Sequence, residues 1–162
     1  MANMCDFSMK VIGNSKESIE TFYNMLSQKG TVYMGRGAEA VMQDIEAVDG
    51  RYTTKIEGWC KWSIRASLVL DAISMRNHPE MWTFGNTVKK DTLKFLTLYE
   101  ACEELALDME VFSEEPGMEF QEHVLFRHGV IEIDACVNYT EEYDEENDEY
   151  ISTGGFEWNF EI

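Results

Sequence analysis

The second half of this 162-residue chain has almost no positive charge. Residues 98–162 contain one base, Arg127, against 20 of the 31 acidic residues, a net of −19. Residues 1–97 carry 12 bases and 11 acids, so the whole formal charge of −18 sits in the C-terminal part. Phosphates repel such a surface, which argues against direct binding to nucleic acid or an anionic membrane and favours a basic partner. Long apolar runs are also missing: no stretch of 18 apolar residues exists, so no membrane-spanning helix is expected. The opening MANMCDFSMK lacks a basic region followed by an apolar core, so the expectation is a cytoplasmic protein without a signal peptide. Cys5, Cys60, Cys102 and Cys136 form no C-x-x-C, and neither they nor His78, His123 and His128 show ligand spacing. Reduced thiols, no zinc site and no cofactor are expected.

What is present is enough apolar material, 44% of residues, for one domain over 1–162. Cys5, Phe7, Met9 and Val11 alternate with Asp6, Ser8 and Lys10, which predicts a half-buried strand. Asn14 with Glu17 suggests a capping box, and Ile19, Phe22, Tyr23 and Leu26 at helical spacing predict a helix ended by Gly30. Asp49-Gly50 predicts a hairpin turn between Val41–Val48 and Arg51–Ile56, with Gly58 marking a bulge or bend in the second arm. Cys60 to Leu68 alternates as a strand would, and a short helix over Val69–Met75 follows before a turn at His78-Pro79. A second helix opens at Asp91 or Thr92 on the stripe Leu93, Leu96, Tyr99, Cys102 and Leu105.

Asp108–Glu114 predicts a strand, Pro116-Gly117 a turn, and Met118–Tyr139 a hairpin about His128-Gly129. A two-residue turn there pairs Phe126 with Ile131, Val124 with Ile133, Leu125 with Glu132 and His123 with Asp134, leaving Leu125 exposed. After the acidic segment 140–150, Phe156, Trp158, Phe160 and Ile162 alternate with polar residues and predict a final strand within 151–162. The order of these elements suits an α+β fold: a ferredoxin-like antiparallel sheet with two helices on one face, extended by a C-terminal hairpin and the final strand.

Three short motifs carry a family resemblance across 2–139. Ala2-Asn3-Met4-Cys5 followed by Val11-Ile12-Gly13 resembles the N-W-C…V-x-G opening of the YubB-type ferredoxin-like family, with Met4 in the place of the usual Trp. Gly58-Trp59-Cys60-Lys61-Trp62 resembles its central W-G-x-K-W strand, and Glu115-Pro116-Gly117 with Phe120 its E-P-G…F turn. The resemblance implies the ferredoxin-like fold and a setting on bacterial plasmids, phages and other mobile elements, hence the cytoplasm of a bacterial host. It implies no catalytic residues, and the acidic segment and the strand after it look like additions.

Four chemistries compete for the acids and aromatics. Asp144, Glu146 and Asp148 are spaced like the start of a calcium loop, but Glu149 stands where the turn needs Gly, so no metal is expected. Cys136 and His123 approach each other across the predicted hairpin, where a buried thiol beside a structural histidine is expected rather than a nucleophile and its base. Trp59, Lys61 and Trp62 have the interleaving of a nucleic-acid stacking strand; the net charge favours one Trp in the core and the other at an edge or turn.

The fourth is nucleic-acid mimicry. Eleven extended residues span about 36–40 Å, over which duplex DNA carries roughly 21–24 charges. The seven carboxylates of Thr140–Tyr150 fall short, so Glu110, Glu114, Glu115, Glu119, Glu122, Glu132 and Asp134 must share the surface to approach that density. The hairpin suits Glu119, Glu132 and Asp134 to this, whereas Glu122 is open to pointing inward. The expected function is non-enzymatic. The chain is read as a mobile-element inhibitor of a positively charged nucleic-acid-binding protein of host defence, such as a CRISPR nuclease or restriction enzyme. The expected contact residues are Glu115, Glu119, Glu132, Asp134, Glu141, Glu142, Asp144, Glu145, Glu146, Asp148 and Glu149. The alternative is an interaction module that uses the C-terminal aromatic strand.

Overall fold

The computed structural model describes residues 3–82 and 92–162. Alternation makes Met4–Gly13 the strand β1, with Cys5, Phe7, Met9 and Val11 buried on one face. Helix α1, Lys16–Leu26, is capped by Ser15, whose hydroxyl accepts the Ser18 N–H at 3.1 Å. The expected Asn14–Glu17 box does not form: Asn14 lies one residue too early, and its side-chain oxygen accepts from Arg51 Nε at 3.2 Å. The helix ends at Leu26, and Gln28 (φ +55), rather than Gly30, makes the first left-handed turn.

Strands β2 (Val32–Met34), β3 (Glu39–Met42) and β4 (Glu46–Val48) precede the long β5 (Arg51–Lys61). β3 and β4 both pair antiparallel with β5, and Asp49 and Gly50 take φ of +50° and +78°, the left-handed pair a two-residue hairpin demands. Gly58 is a close approach rather than a bulge, since a Cβ there would lie 2.1 Å from the Glu39 carbonyl oxygen.

The alternation of Cys60–Leu68 does not continue as strand. β5 stops at Lys61, Trp62 turns the chain at φ +66°, and a helical segment follows, with a π-helical stretch Ala66–Leu70 leading into α2, Asp71–Asn77. Ser63 Oγ accepts the Ala66 N–H at 2.9 Å, which starts this helix, and Ile64 and Leu68 are one helical turn apart as well as two strand steps twice over. The next helix also starts later than expected. Of the two expected starts, Asp91 lies outside the described residues. Lys94–Leu96 is β6, which pairs parallel with β2, and α3 spans only Leu98–Glu104. Thr97 and Glu100 form the capping box at its start.

β7 (Asp108–Glu115), β8 (Phe120–Arg127) and β9 (Val130–Asn138) complete an antiparallel sheet in the order β3-β5-β1-β7-β8-β9, with β4 also on β5. The fold is therefore α+β, with a mostly antiparallel multi-stranded sheet and, among the described residues, three α-helices. Ile19, Phe22, Leu26, Leu68, Leu98 and Cys102 from the helices share one core with the odd-numbered residues of β1 and with Ile56, Met109, Val111, Val124 and Phe126.

The opposite face of the sheet is covered too. β10 (Thr140–Asp144) and β11 (Glu149–Thr153) form a separate hairpin, after which residues 155–162 run over the sheet without regular strand pairing. The final strand expected on Phe156, Trp158, Phe160 and Ile162 does not form. Regular strand ends with β11 at Thr153, because these aromatics pack down on the sheet face instead of pairing at its edge. Phe112 is the centre of the covered face: its ring lies 4.0 Å from His123, 6.0 Å from Trp158 and 5.4 Å from Phe160, centroid to centroid. This strap explains why Leu125, expected at the surface, is fully buried. A sheet covered on both faces buries both parities of its central strands.

Candidate functional site

Three of the carboxylates counted toward a negative surface are interior. Glu110, Glu115 and Glu122 are at most 5% exposed. Glu122 shares the helix-side face with Val124, where its two oxygens accept the N–H groups of Ile64 at 2.8 Å and Arg65 at 3.2 Å. Ser113 Oγ donates to it as well, at 2.8 Å. Its charge thus meets the free N–H groups at the start of the helical segment that Ser63 opens. Glu110 does the same for the strap. Its Oε1 accepts the N–H groups of Glu161 at 2.6 Å and Ile162 at 3.2 Å, while Oε2 lies 2.7 Å from His123 Nε2. Glu115, an expected contact residue, closes the β7–β8 turn by accepting from Gly117 N at 2.9 Å and Met118 N at 2.6 Å. It is removed from the surface set, because these two turn N–H groups hold its carboxylate in a buried position.

The signal for these positions was present in part. Glu122 shares parity with Val124 and Phe126, which predicts an inward side chain. Glu110 stands between Met109 and Val111 in a strand whose other parity holds Phe112, the mark of a strand buried on both sides.

The hairpin acids are placed very differently. β10 pairs Glu141 with Ser152, Glu142 with Ile151, Tyr143 with Tyr150 and Asp144 with Glu149. Side chains directly across share a face, so Glu142, Asp144 and Glu149 project together and Glu141 projects the other way. Glu145, Glu146 and Asp148 occupy the tip. All seven are exposed except Asp144, which is half-buried, and none enters an ion pair among the described residues. Asp144 instead organises the tip, accepting Glu146 N at 3.0 Å and Asn147 Nδ2 at 2.7 Å, contacts that hold its carboxyl below the usual range. Tyr143 donates to Asp148 and packs on Tyr150 at 5.3 Å between ring centroids.

Two anchors aim this hairpin. Before it, Tyr139 is buried, and its N–H donates to the Glu119 carbonyl at 3.0 Å. After it, Phe156 N donates to Gln121 Oε1 at 2.7 Å, a contact made close by Gly155, where a Cβ would lie 2.4 Å from that oxygen. Glu119 is therefore beside the hairpin root, and it is exposed. Asp134 and Glu132 are exposed on β9, with roughly 20 Å of strand between Glu132 and Asn138. Glu132 is compensated by Arg127, 2.6 Å away, the base that holds its carboxyl low. The structure thus brings Glu119 and the hairpin acids together, extends them along β9 through Asp134, and withdraws Glu115.

The expected His123–Asp134 pair is also replaced. A bulge between Leu125 and Phe126 shifts the register, so Val124 faces Asp134, Leu125 faces Ile133 and His123 faces Ala135, while Phe126–Ile131 pairs as expected. His123 keeps its face, set by the pairing of β8 with β7, and lies under the strap 2.7 Å from Glu110; the shift instead puts exposed Cys136 on the other face, opposite Glu122. They do not form a nucleophile–base pair. Of the two tryptophans flanking Cys60, Trp62 is exposed at the turn and Trp59 is half-buried, while Cys60 itself enters the core opposite Cys5. No family model, curated protein or solved structure matches this chain.

Proposed function

We propose that the chain is a non-enzymatic binding protein that presents the β10–β11 hairpin, with Glu119 and Asp134 beside it, to a positively charged protein. The observation that carries this reading is the hairpin's own composition. Asp144 lies directly across from Glu149, a like-charge pair that weakens a two-stranded ribbon already marginal by itself. Folding gains nothing from that arrangement, whereas a basic partner does.

The narrower reading is an inhibitor of a nucleic-acid-binding host-defence protein, the hairpin standing in for phosphates. It is supported by the unpaired carboxylates and by the YubB-type resemblance. The ferredoxin-like part of that resemblance is supported by the central β1 flanked by β5 and β7. The strap aromatics Trp158 and Phe160 turn in against Phe112, which favours the hairpin over them as the contact.

The test compares two charge-matched variants. One replaces Glu141, Glu142, Asp144, Glu145, Glu146, Asp148 and Glu149 by Gln or Asn. The other does the same to Glu17, Glu20, Glu39, Asp44, Glu46, Asp49 and Glu57, all of them exposed. Each loses seven negative charges. A pull-down from a bacterial lysate at low salt with the natural chain identifies the partner. Only the hairpin variant is expected to bind it more weakly, through slower association and a shallower salt dependence. Equal binding by all three chains refutes the reading.

A further inference from the structure

Resting on that reading, we propose that β9 is the docking edge, and that it takes an extended basic segment of the partner as one more strand of the sheet. β9 ends the strand order, so among the described residues only β8 pairs with it. The direction of its backbone groups follows from the register. Tyr139 N donates to the Glu119 carbonyl in step with the Val137–Gln121 pair, so the N–H groups of Ile133, Ala135 and Val137 face β8. Those of Asp134, Cys136 and Asn138 then face outward, and they make no hydrogen bond among the described residues.

The two faces of the strand specify the guest. On the strap side Ile133, Ala135 and Val137 form a half-buried apolar row that continues from Leu125 and His123. On the other side Asp134, Cys136 and Asn138 are exposed, and the chain passes through Tyr139 directly into the acidic hairpin. An added strand meets apolar neighbours at every second residue and Asp134, Cys136 and Asn138 at the others, with the hairpin acids just beyond. The fitting segment alternates Val or Ile with Lys or Arg.

Charge also decides against a second copy of this chain. Long free edges are normally blunted with Lys, Pro or a very short strand. β9 has nine residues, neither Lys nor Pro, and only the bulge near its start and the acids Glu132 and Asp134 to guard it. Those acids, with a net charge of −18 behind them, repel a second copy and attract a basic strand.

The test uses the 15N-labelled chain and two synthetic peptides about ten residues long, a length matched to β9. One alternates Lys with Val; the other has the same composition with all Lys before all Val. The alternating peptide is expected to slow amide exchange of Asp134 and Cys136 by about tenfold or more, leaving Ala135 and Val137 as they were. Cys136→Pro removes an outward donor while sparing the β8 pairing, and should weaken the alternating peptide about tenfold without affecting the block peptide. Asp134→Lys keeps every backbone donor and should weaken the alternating peptide through charge alone. Binding of both peptides with unprotected β9 amides overturns strand addition and leaves the acidic-hairpin reading intact. Failure of both peptides, together with equal binding of the partner by the charge-matched variants, overturns the two readings together. Concentration-dependent protection of the same amides without peptide assigns the edge to a second copy and likewise overturns the proposal.

Discussion

Glu122 and Glu142 are the same side chain in the same acidic half of the chain, twenty positions apart, and they work in opposite ways. Glu122 is surrounded by three donors and is out of water, so its carboxylate holds together β7, β8 and the start of the helical segment. Glu142 is exposed, has no basic partner among the described residues, and shares its face with Asp144 and Glu149. A buried acid with every oxygen satisfied is part of the architecture, and removing it strands its donors. An exposed acid among others of its sign costs a little repulsion and is available to a partner. A total charge of −18 conceals this division.

The comparison breaks most visibly at Glu122. Glu122→Ala leaves the Ile64 and Arg65 N–H groups and the Ser113 hydroxyl without an acceptor, and should cost about 3–5 kcal/mol in urea unfolding. Glu122→Gln keeps one acceptor and should cost roughly half as much. A loss below about 1 kcal/mol for the alanine variant would erase the distinction between interior and hairpin acids.

Glu110→Ala comes next, at about 2–3 kcal/mol, because the strap loses the acceptor for Glu161 N and Ile162 N. Its particular signature is faster amide exchange in residues 156–162. Trp158→Ala should reproduce that signature by removing the contact with Phe112. If Glu110→Ala leaves exchange in the strap unchanged, Glu110 is not what holds it.

Acid provides a smaller and graded effect. Burial opposes the charge of Asp108, but the Arg51 guanidinium at 2.8 Å and the His128 N–H outweigh it and hold the carboxyl below the usual range. Glu100 is lowered in the same manner, with Arg76 and Thr97 outweighing burial. A depressed folded pKa stabilises the protein above the unfolded value of about 4, and that contribution is lost as pH falls through the folded one. Unfolding midpoints should therefore fall below about pH 4, and Asp108→Asn should flatten the slope there. An unchanged slope would show that the Arg51–Asp108 pair contributes nothing to folding.

The smallest effect is expected where the charge is greatest. Neutralising all seven hairpin carboxylates should leave stability within about 0.5 kcal/mol or raise it, since no ion pair is lost and like-charge repulsion is relieved. Marked destabilisation would show that the hairpin is architectural, like Glu122, and would remove the contrast from which the proposed function starts.

Local chemistry determined much of this protein by itself. Alternation specified β1, helical spacing specified α1, and Asp49-Gly50 and His128-Gly129 specified two turns whose left-handed backbone those residues tolerate. The total of acids, and their gathering after residue 98, is a property of the sequence alone. Only the tertiary structure decided which acids are surface. Glu110 finds its donors some fifty residues away at Glu161 and Ile162, and Glu122 finds its own at Ile64 and Arg65. The return of the strap across the sheet turned Leu125 and His123 into interior residues, pairing with β7 set His123 beside Glu110, and one bulge moved Asp134 away from His123 to the opposite face. Periodicity reports which side chains share a face, but a carboxylate is stable inside only where distant N–H groups converge on it, and that convergence exists only in the folded chain.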